Sequence, residues 1–314
     1  MPKTPDPHLF TCVGVADDLP LLPHFIRHYA ELGVQRKRMH IILNAATADE
    51  PNLDVARNLV RDLGVAHCEM WIEPYTSDGM WARRRDIQAR TVTAEDWCIN
   101  ADVDEFHEYP LPLHEFLTEC DRMGVNAVSG VFIDRLAPGG RLIEVAPEPF
   151  VLDQFPIRCE VTYSLFGSGK YHGLGGTMKL MAMRGQIMPR RGGHGPKGHP
   201  DIVHLYADVL DFYVFLMKPA QRFRVPTKVH HVHWTASLPG RLQRRLDTPG
   251  ASKGGSEYGR KQLDHIRSNN GIDLSQVAID PEAGGTDWRA EVARFRRWHW
   301  YLRKRKRVME LLGR

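Results

Sequence analysis

The first hundred residues alternate between short apolar runs and amphipathic stretches, and this alternation limits the possible folds more than any other feature of the chain. Residues 8–16 are apolar and rich in strand formers, and Asp17 and Asp18 end the run. Leu21, Leu22, Phe25, Ile26, Tyr29 and Leu32 then recur at helical spacing up to Gly33, which stands where a helix C-cap belongs. Residues 39–44 read as a second strand, 51–63 as a second helix closed by Gly64, and 65–72 as a third strand. A third helix over 80–94 and a fourth strand over 97–102 complete the series. Strands alternating with helices across short connections predict a mostly parallel α/β sheet with right-handed crossovers. Such sheets bind ligands beyond the carboxyl ends of their strands. Asp17 and Asp18 after the first strand, Asn44 at the end of the second and Asp102 at the end of the fourth are therefore expected on one rim.

The rest of the chain is less regular. Helices are expected over 113–123, 208–217, 238–246 and 258–268, a strand over 127–133, and a strand end over 228–234. Residues 138–198 are rich in Gly, Pro and basic residues and predict loops and short antiparallel strands around an acceptor site; residues 250–255 predict a flexible loop. The glycine clusters at 173–176 and 192–195 have neither P-loop nor dinucleotide-fold spacing. They read as simple turns, or as a mobile lid over a donor. The boundary falls near 245, giving a main domain over 9–245 and a helical extension over 246–314.

The sharpest chemical signal is Asn100-Ala101-Asp102-Val103-Asp104-Glu105-Phe106 at the end of an apolar run. On an extended strand, residues i and i+2 share a face, so Asp102 and Asp104 can meet one hard cation, or one of them can hold a ribose hydroxyl. Mg2+ and Mn2+ prefer carboxylate oxygens and keep positions open for substrate phosphates. A solvated acidic turn is the plainer reading of two such carboxylates. The preceding strand and the following aromatic favour the metal.

Trp97-Cys-Ile-Asn-Ala-Asp-Val-Asp-Glu-Phe106 resembles the W-x4-D-x-D-E-F signature of family-2-like glycosyltransferases with a GT-A fold. The stretch from Asp17 to Val34, the residue Asn44 and the stretch from His230 to Leu238 are similar to further segments of that family, and Lys179 and His194 align with its K…H stretch. The chain departs from the family pattern at Asp17-Asp18, His24, Tyr29 and Ala236. The resemblance implies a GT-A-like, Rossmann-like central sheet flanked by helices, an irregular acceptor-side half and a C-terminal helix. It implies an enzyme that transfers a hexosyl group, with inversion, from a nucleotide-diphosphate sugar (a UDP-sugar first) to a saccharide or lipid-linked acceptor. Mn2+ or Mg2+ would be held by Asp104, shared by Asp102, and completed by His233, with His231 second. Asp18, Asp17, Asn44, Asp102 and Arg85 would bind the donor, while Arg84 reads more as a solvated helix position. An acceptor base is sought among Glu105, Asp134 and Glu160, with none preferred. Two other readings compete: a metal-dependent phosphoesterase built on the same acids and histidines, and a non-catalytic binding protein with a decayed site.

Composition narrows the partners. Hydrophobic residues at 42% and charged residues at 25% exclude a disordered or fibrous chain. No run approaches the roughly 18 apolar residues of a spanning helix, and the first seven residues lack the apolar core of a signal peptide. A cytoplasmic enzyme is expected. The five cysteines are dispersed and include no CxxC pair, which predicts core residues rather than a disulfide or zinc framework. The net charge of +4 is uneven: residues 287–314 hold ten basic side chains against three acids, +7 in all, leaving −3 elsewhere. Trp288, Val292, Phe295, Trp298 and Leu302 follow helical spacing among those charges. Such a helix either lies on an anionic membrane, here the inner face, or packs its stripe on the domain. The acidic body and the lack of a recognition motif argue against nucleic acid.

Overall fold

A computed structural model describes residues 5–166, 177–198, 201–206, 219–247, 253–280 and 287–311. The expected helix over 208–217 and the glycine cluster at 173–176 lie outside them. Ten strands form one curled sheet: β1 His8–Gly14, β2 Met39–Ala45, β3 His67–Ile72, β4 Trp97–Asn100, β5 Glu105–Glu108, β6 Ala127–Leu136, β7 Ile157–Glu160, β8 Met178–Arg184, β9 Lys228–His231 and β10 Ala278–Ile279. The helices are α1 Leu22–Glu31, α2 Leu53–Asp62, α3 Ser77–Thr91, α4 Leu113–Arg122, α5 Val151–Gln154, α6 Val161–Phe166, α7 Pro219–Arg222, α8 Leu238–Asp247, α9 Lys253–Asn269 and α10 Trp288–Leu311. This is a mixed α/β architecture of the GT-A-like, Rossmann type.

The strand order is β10-β7-β6-β8-β4-β1-β2-β3, with β9 between β5 and β6. The half read from alternation is parallel: β1 pairs in parallel with β2 and β4, and β2 with β3. The carboxyl ends of β1, β2 and β4 therefore share one rim. The other half runs against it, because β8 enters antiparallel between β4 and β6. The expected antiparallel strands of 138–198 thus include a central, fully enclosed strand.

Local chemistry sets the boundaries. The buried residues Leu22, Phe25, Ile26 and Tyr29 form one face of α1 and pack on the sheet. Gly33 after α1 has φ 99° and Gly64 after α2 has φ 72°, left-handed positions that a side chain would strain. Thr76 caps α3, its Oγ1 accepting from Gly79 N at 3.1 Å.

Two expectations need correction. The fourth strand stops at Asn100, because Asp102–Glu105 forms a turn, Glu105 N donating to Asp102 O at 2.9 Å. Lys253 already belongs to α9, so the loop expected over 250–255 is helical in its described part. The C-terminal helix packs its first turns on the body: Trp288, Val292 and Phe295 lie in the main core, and the Trp288 ring meets Phe116 edge-on at 5.7 Å. Farther along, Trp298, Trp300 and Tyr301 are exposed. Among the described residues no helix is long and apolar enough to cross a membrane. Cys98, Cys120 and Cys159 are buried and Cys68 is exposed, all as free thiols.

Candidate functional site

The turn after β4 gives its two aspartates different neighbours. Asp102 faces cations: Lys179 Nζ, from β8, lies 2.8 Å from its Oδ2, and Arg84 Nη2, from α3, lies 2.7 Å from its Oδ1. Both bases are almost wholly buried, whereas the Asp102 side chain keeps 36% exposure. Burial opposes its charge, yet Lys179 and then Arg84 hold its carboxyl far below the usual range. Arg84 is therefore not a solvated helix position. Lys179 also donates to Glu105 Oε1 at 2.8 Å, and Glu105 Oε2 accepts from Asp102 N at 2.9 Å. Burial raises Glu105 to about 7 against the pull of Lys179, with Asp102 and Asp104 adding to the rise. Glu105 is thus a buried brace of the turn.

Asp104 faces histidines. His231 Nε2 lies 3.6 Å and His233 Nδ1 3.4 Å from its Oδ2. Val232 N donates to Asp104 O at 2.8 Å, which seats the end of β9 against the turn and puts both imidazoles beside one carboxylate. Ligand atoms of Asp104, His231 and His233 lie within 4.8 Å of one another. Burial works against the Asp104 charge, but the His233 hydrogen bond and the fields of His231, His233 and Arg241 bring it down to about 2. Burial lowers His233 to about 4, so its ring is neutral near pH 7. One carboxylate and two imidazoles form a donor set that suits a divalent first-row cation. His233 Nδ1 also lies 3.2 Å from Arg241 Nη2. One nitrogen cannot donate to Asp104 and accept from Arg241 at once, so the tautomer of His233 decides which of the two it bonds.

Arg241 and Arg244 of α8 had no signal in the sequence, yet they cover the first rim. Arg241 Nη1 donates to Asp18 Oδ1 at 2.8 Å, and Arg244 pairs with Asp17. Burial raises Asp18 to about 6, while Arg241 restrains the rise. Asp18 thereby joins the Asp104 cluster through Arg241.

The remaining residues singled out from the sequence lie in supporting positions. Asn44 donates to the carbonyls of Trp71 and Glu73, both at 3.0 Å, tying β2 to the end of β3. Arg85 donates to Pro189 O at 3.3 Å. Asp134, on β6, is buried and accepts from Val161 N, Thr162 N, Trp234 Nε1 and His231 Nδ1. Burial opposes its charge, and the His231 bond leads the effects that lower its carboxyl. Glu160 is buried against Arg222 at 2.7 Å, and burial raises it to about 7.

The 192–195 cluster is a tight cover over Lys179. Gly193 has φ 69°, and a Cβ there would come within 2.7 Å of Lys179 Cε and 2.9 Å of the Trp81 ring. Gly193 O accepts from Leu180 N at 2.8 Å, and His194 Nδ1 lies 2.6 Å from Met178 O. The glycines permit close approach over the buried cation.

No family model matches the chain, and no curated protein matches it. Among solved structures it is similar to S. aureus TarS 1-349, at 9% identity over 86% of this chain and 76% of that one, with TM-score 0.32. A complex of TarS 1-349 with UDP matches at 7% identity over 90% and 98%, with TM-score 0.30. A UDP-glucose pyrophosphorylase complexed with UDP-glucose matches at 15% identity over 42% and 58%, with TM-score 0.24. Likenesses this distant say nothing about the activity of this chain.

Proposed function

We propose that this chain is a metal-assisted glycosyltransferase using a nucleotide-diphosphate sugar, with a UDP-sugar as the first donor to try. The observation that carries the reading is the convergence of Asp104, His231 and His233 beside Asp102, at the carboxyl rim of the parallel strands. That rim is where open α/β sheets bind ligands, and the segment around Asp102 resembles the glycosyltransferase signature. Asp104, His231 and His233 would hold Mn2+ or Mg2+, and the cation would offset the charge of the departing diphosphate.

The chain's own groups divide the remaining work. Asp102 is already balanced by Lys179 and Arg84 and still partly exposed, so it suits a ribose hydroxyl better than a shared cation. Asp18 is linked to the same cluster through Arg241 and would bind the nucleoside end, with Arg241 exchanging partners as the donor arrives. Glu105 and Asp134 are enclosed and committed to internal hydrogen bonds, so neither is assigned as the acceptor's base. A saccharide or lipid-linked acceptor belongs to this reading. The exposed Trp298, Trp300 and Tyr301, with Arg297, Lys304, Arg305 and Arg307 exposed around them, favour peripheral attachment to an anionic membrane.

The paired histidines equally suit phosphoester hydrolysis, so the test separates the two chemistries. Incubation with UDP-sugars, a panel of saccharide and lipid-linked acceptors and Mn2+ should release UDP as the sugar passes to an acceptor hydroxyl, and should leave p-nitrophenyl phosphate intact. Cleavage of the phosphoester without UDP release would refute the transferase.

A further inference from the structure

His231 is fixed on three sides. Its ring stacks on Phe132 at a centroid distance of 4.8 Å and on His233 at 4.9 Å. Its Nδ1 lies 3.0 Å from Asp134 Oδ1. Asp134 and His231 are register partners in the parallel β6–β9 pair, so the backbone itself sets this contact. The Asp134 carboxylate is held in turn by Trp234 Nε1 at 3.0 Å on Oδ1, and by Val161 N at 2.8 Å and Thr162 N at 2.9 Å on Oδ2. A carboxylate with these donors can only accept, so the His231 nitrogen facing it must carry a proton. In a neutral imidazole the other nitrogen is then bare, and that nitrogen, Nε2, faces Asp104.

We propose that Asp134 is a positioning residue that holds His231 as its Nδ1–H tautomer, leaving Nε2 bare toward Asp104 for a divalent cation. This rests on the metal reading of Asp104, His231 and His233. A carboxylate behind a ligating imidazole fixes its tautomer and orientation and raises its basicity, and losing it costs about 10–100-fold in metal affinity. Asp134 thereby acts on the cation through His231, without touching substrate.

Asp134→Asn tests the tautomer directly. The amide must turn its oxygen to the two backbone N–H groups, because its NH2 cannot face them. The NH2 then faces His231, where it needs an acceptor, and His231 is driven to the Nε2–H form that cannot bind a cation. Mn2+ titration followed by the electron paramagnetic resonance of free Mn2+ should show affinity about 10–100-fold below wild type. Circular dichroism should show a folded variant. A folded Asp134→Asn protein with wild-type Mn2+ affinity would overturn the proposal. Nitrogen-15 imidazole resonances of the metal-free wild type provide a second readout that does not depend on the variant folding. In the neutral ring a proton on Nδ1 of His231 is expected, and a neutral ring with its single proton on Nε2 overturns the proposal. A wild type with protonated Nδ1 that takes up no Mn2+ would strike the metal reading itself, and with it the role given to Asp134.

Discussion

Lys179 Nζ stands 2.8 Å from Asp102 Oδ2, so the first carboxylate of the Asp-x-Asp pair is matched by a cation from the chain itself. Its partner Asp104 turns to His231 and His233 instead. The turn over 102–105 thus separates two tasks that an extended strand would have placed on one face.

Removing Lys179 should expose this division. Lys179→Met leaves Asp102 with Arg84 alone and leaves Glu105 buried without its cation. Breaking a buried pair from one side costs about 3–5 kcal/mol. Without Lys179 the Glu105 carboxyl takes up a proton near neutral pH, so adding Glu105→Gln should recover part of that loss in denaturant unfolding above neutral pH, where the unpaired carboxylate would otherwise ionise. Additive losses in the double variant would contradict the coupling.

Asp18 should mark the pH dependence of stability. Its folded value of about 6 lies above its ordinary carboxylate range, so the folded protein holds this proton more tightly than the unfolded chain. Its contribution is fully present below the unfolded value and is lost as pH rises through about 6. Asp18→Asn should therefore gain stability relative to wild type between pH 4 and pH 7, by roughly 1–3 kcal/mol, since each tenfold difference in proton affinity is worth about 1.4 kcal/mol. Paired thermal melts check the sign, and a relative loss over that range would contradict it.

The C-terminal helix should behave as two pieces. Trp288 is buried against Phe116, so Trp288→Ala should cost about 3–5 kcal/mol. Trp300 is 63% exposed, so Trp300→Ala should leave stability within about 0.5 kcal/mol. It should weaken sedimentation with anionic but not neutral vesicles. Unchanged binding to anionic vesicles would remove Trp300 from the membrane reading.

Much of the rim was legible because parallel strands put their ends together by topology. Asp18, Asn44 and Asp102 follow from that rule alone. His231 and His233 were readable as alternate residues at a strand end. The turn at Asp102–Glu105 was hidden because the apolar run continues through Ala101 and Val103, and hydropathy does not distinguish a buried turn from a strand. Lys179 did carry a signal: one lysine amid Met178, Leu180, Met181, Ala182 and Met183 must be buried and paired. Arg241 and Arg244 carried none, since their partners lie more than 220 residues away. Asn44 was placed correctly by topology, but its side chain is spent on two carbonyls, a choice that only the finished sheet dictates.

The central claim is that Asp104 holds a cation on which donor binding depends. Calorimetric titration of UDP into wild type and Asp104→Ala, with Mn2+ and with EDTA, tests it most directly. The account predicts binding to wild type only with Mn2+, and none to the folded variant under either condition. Mn2+-dependent UDP binding that survives in Asp104→Ala would contradict it.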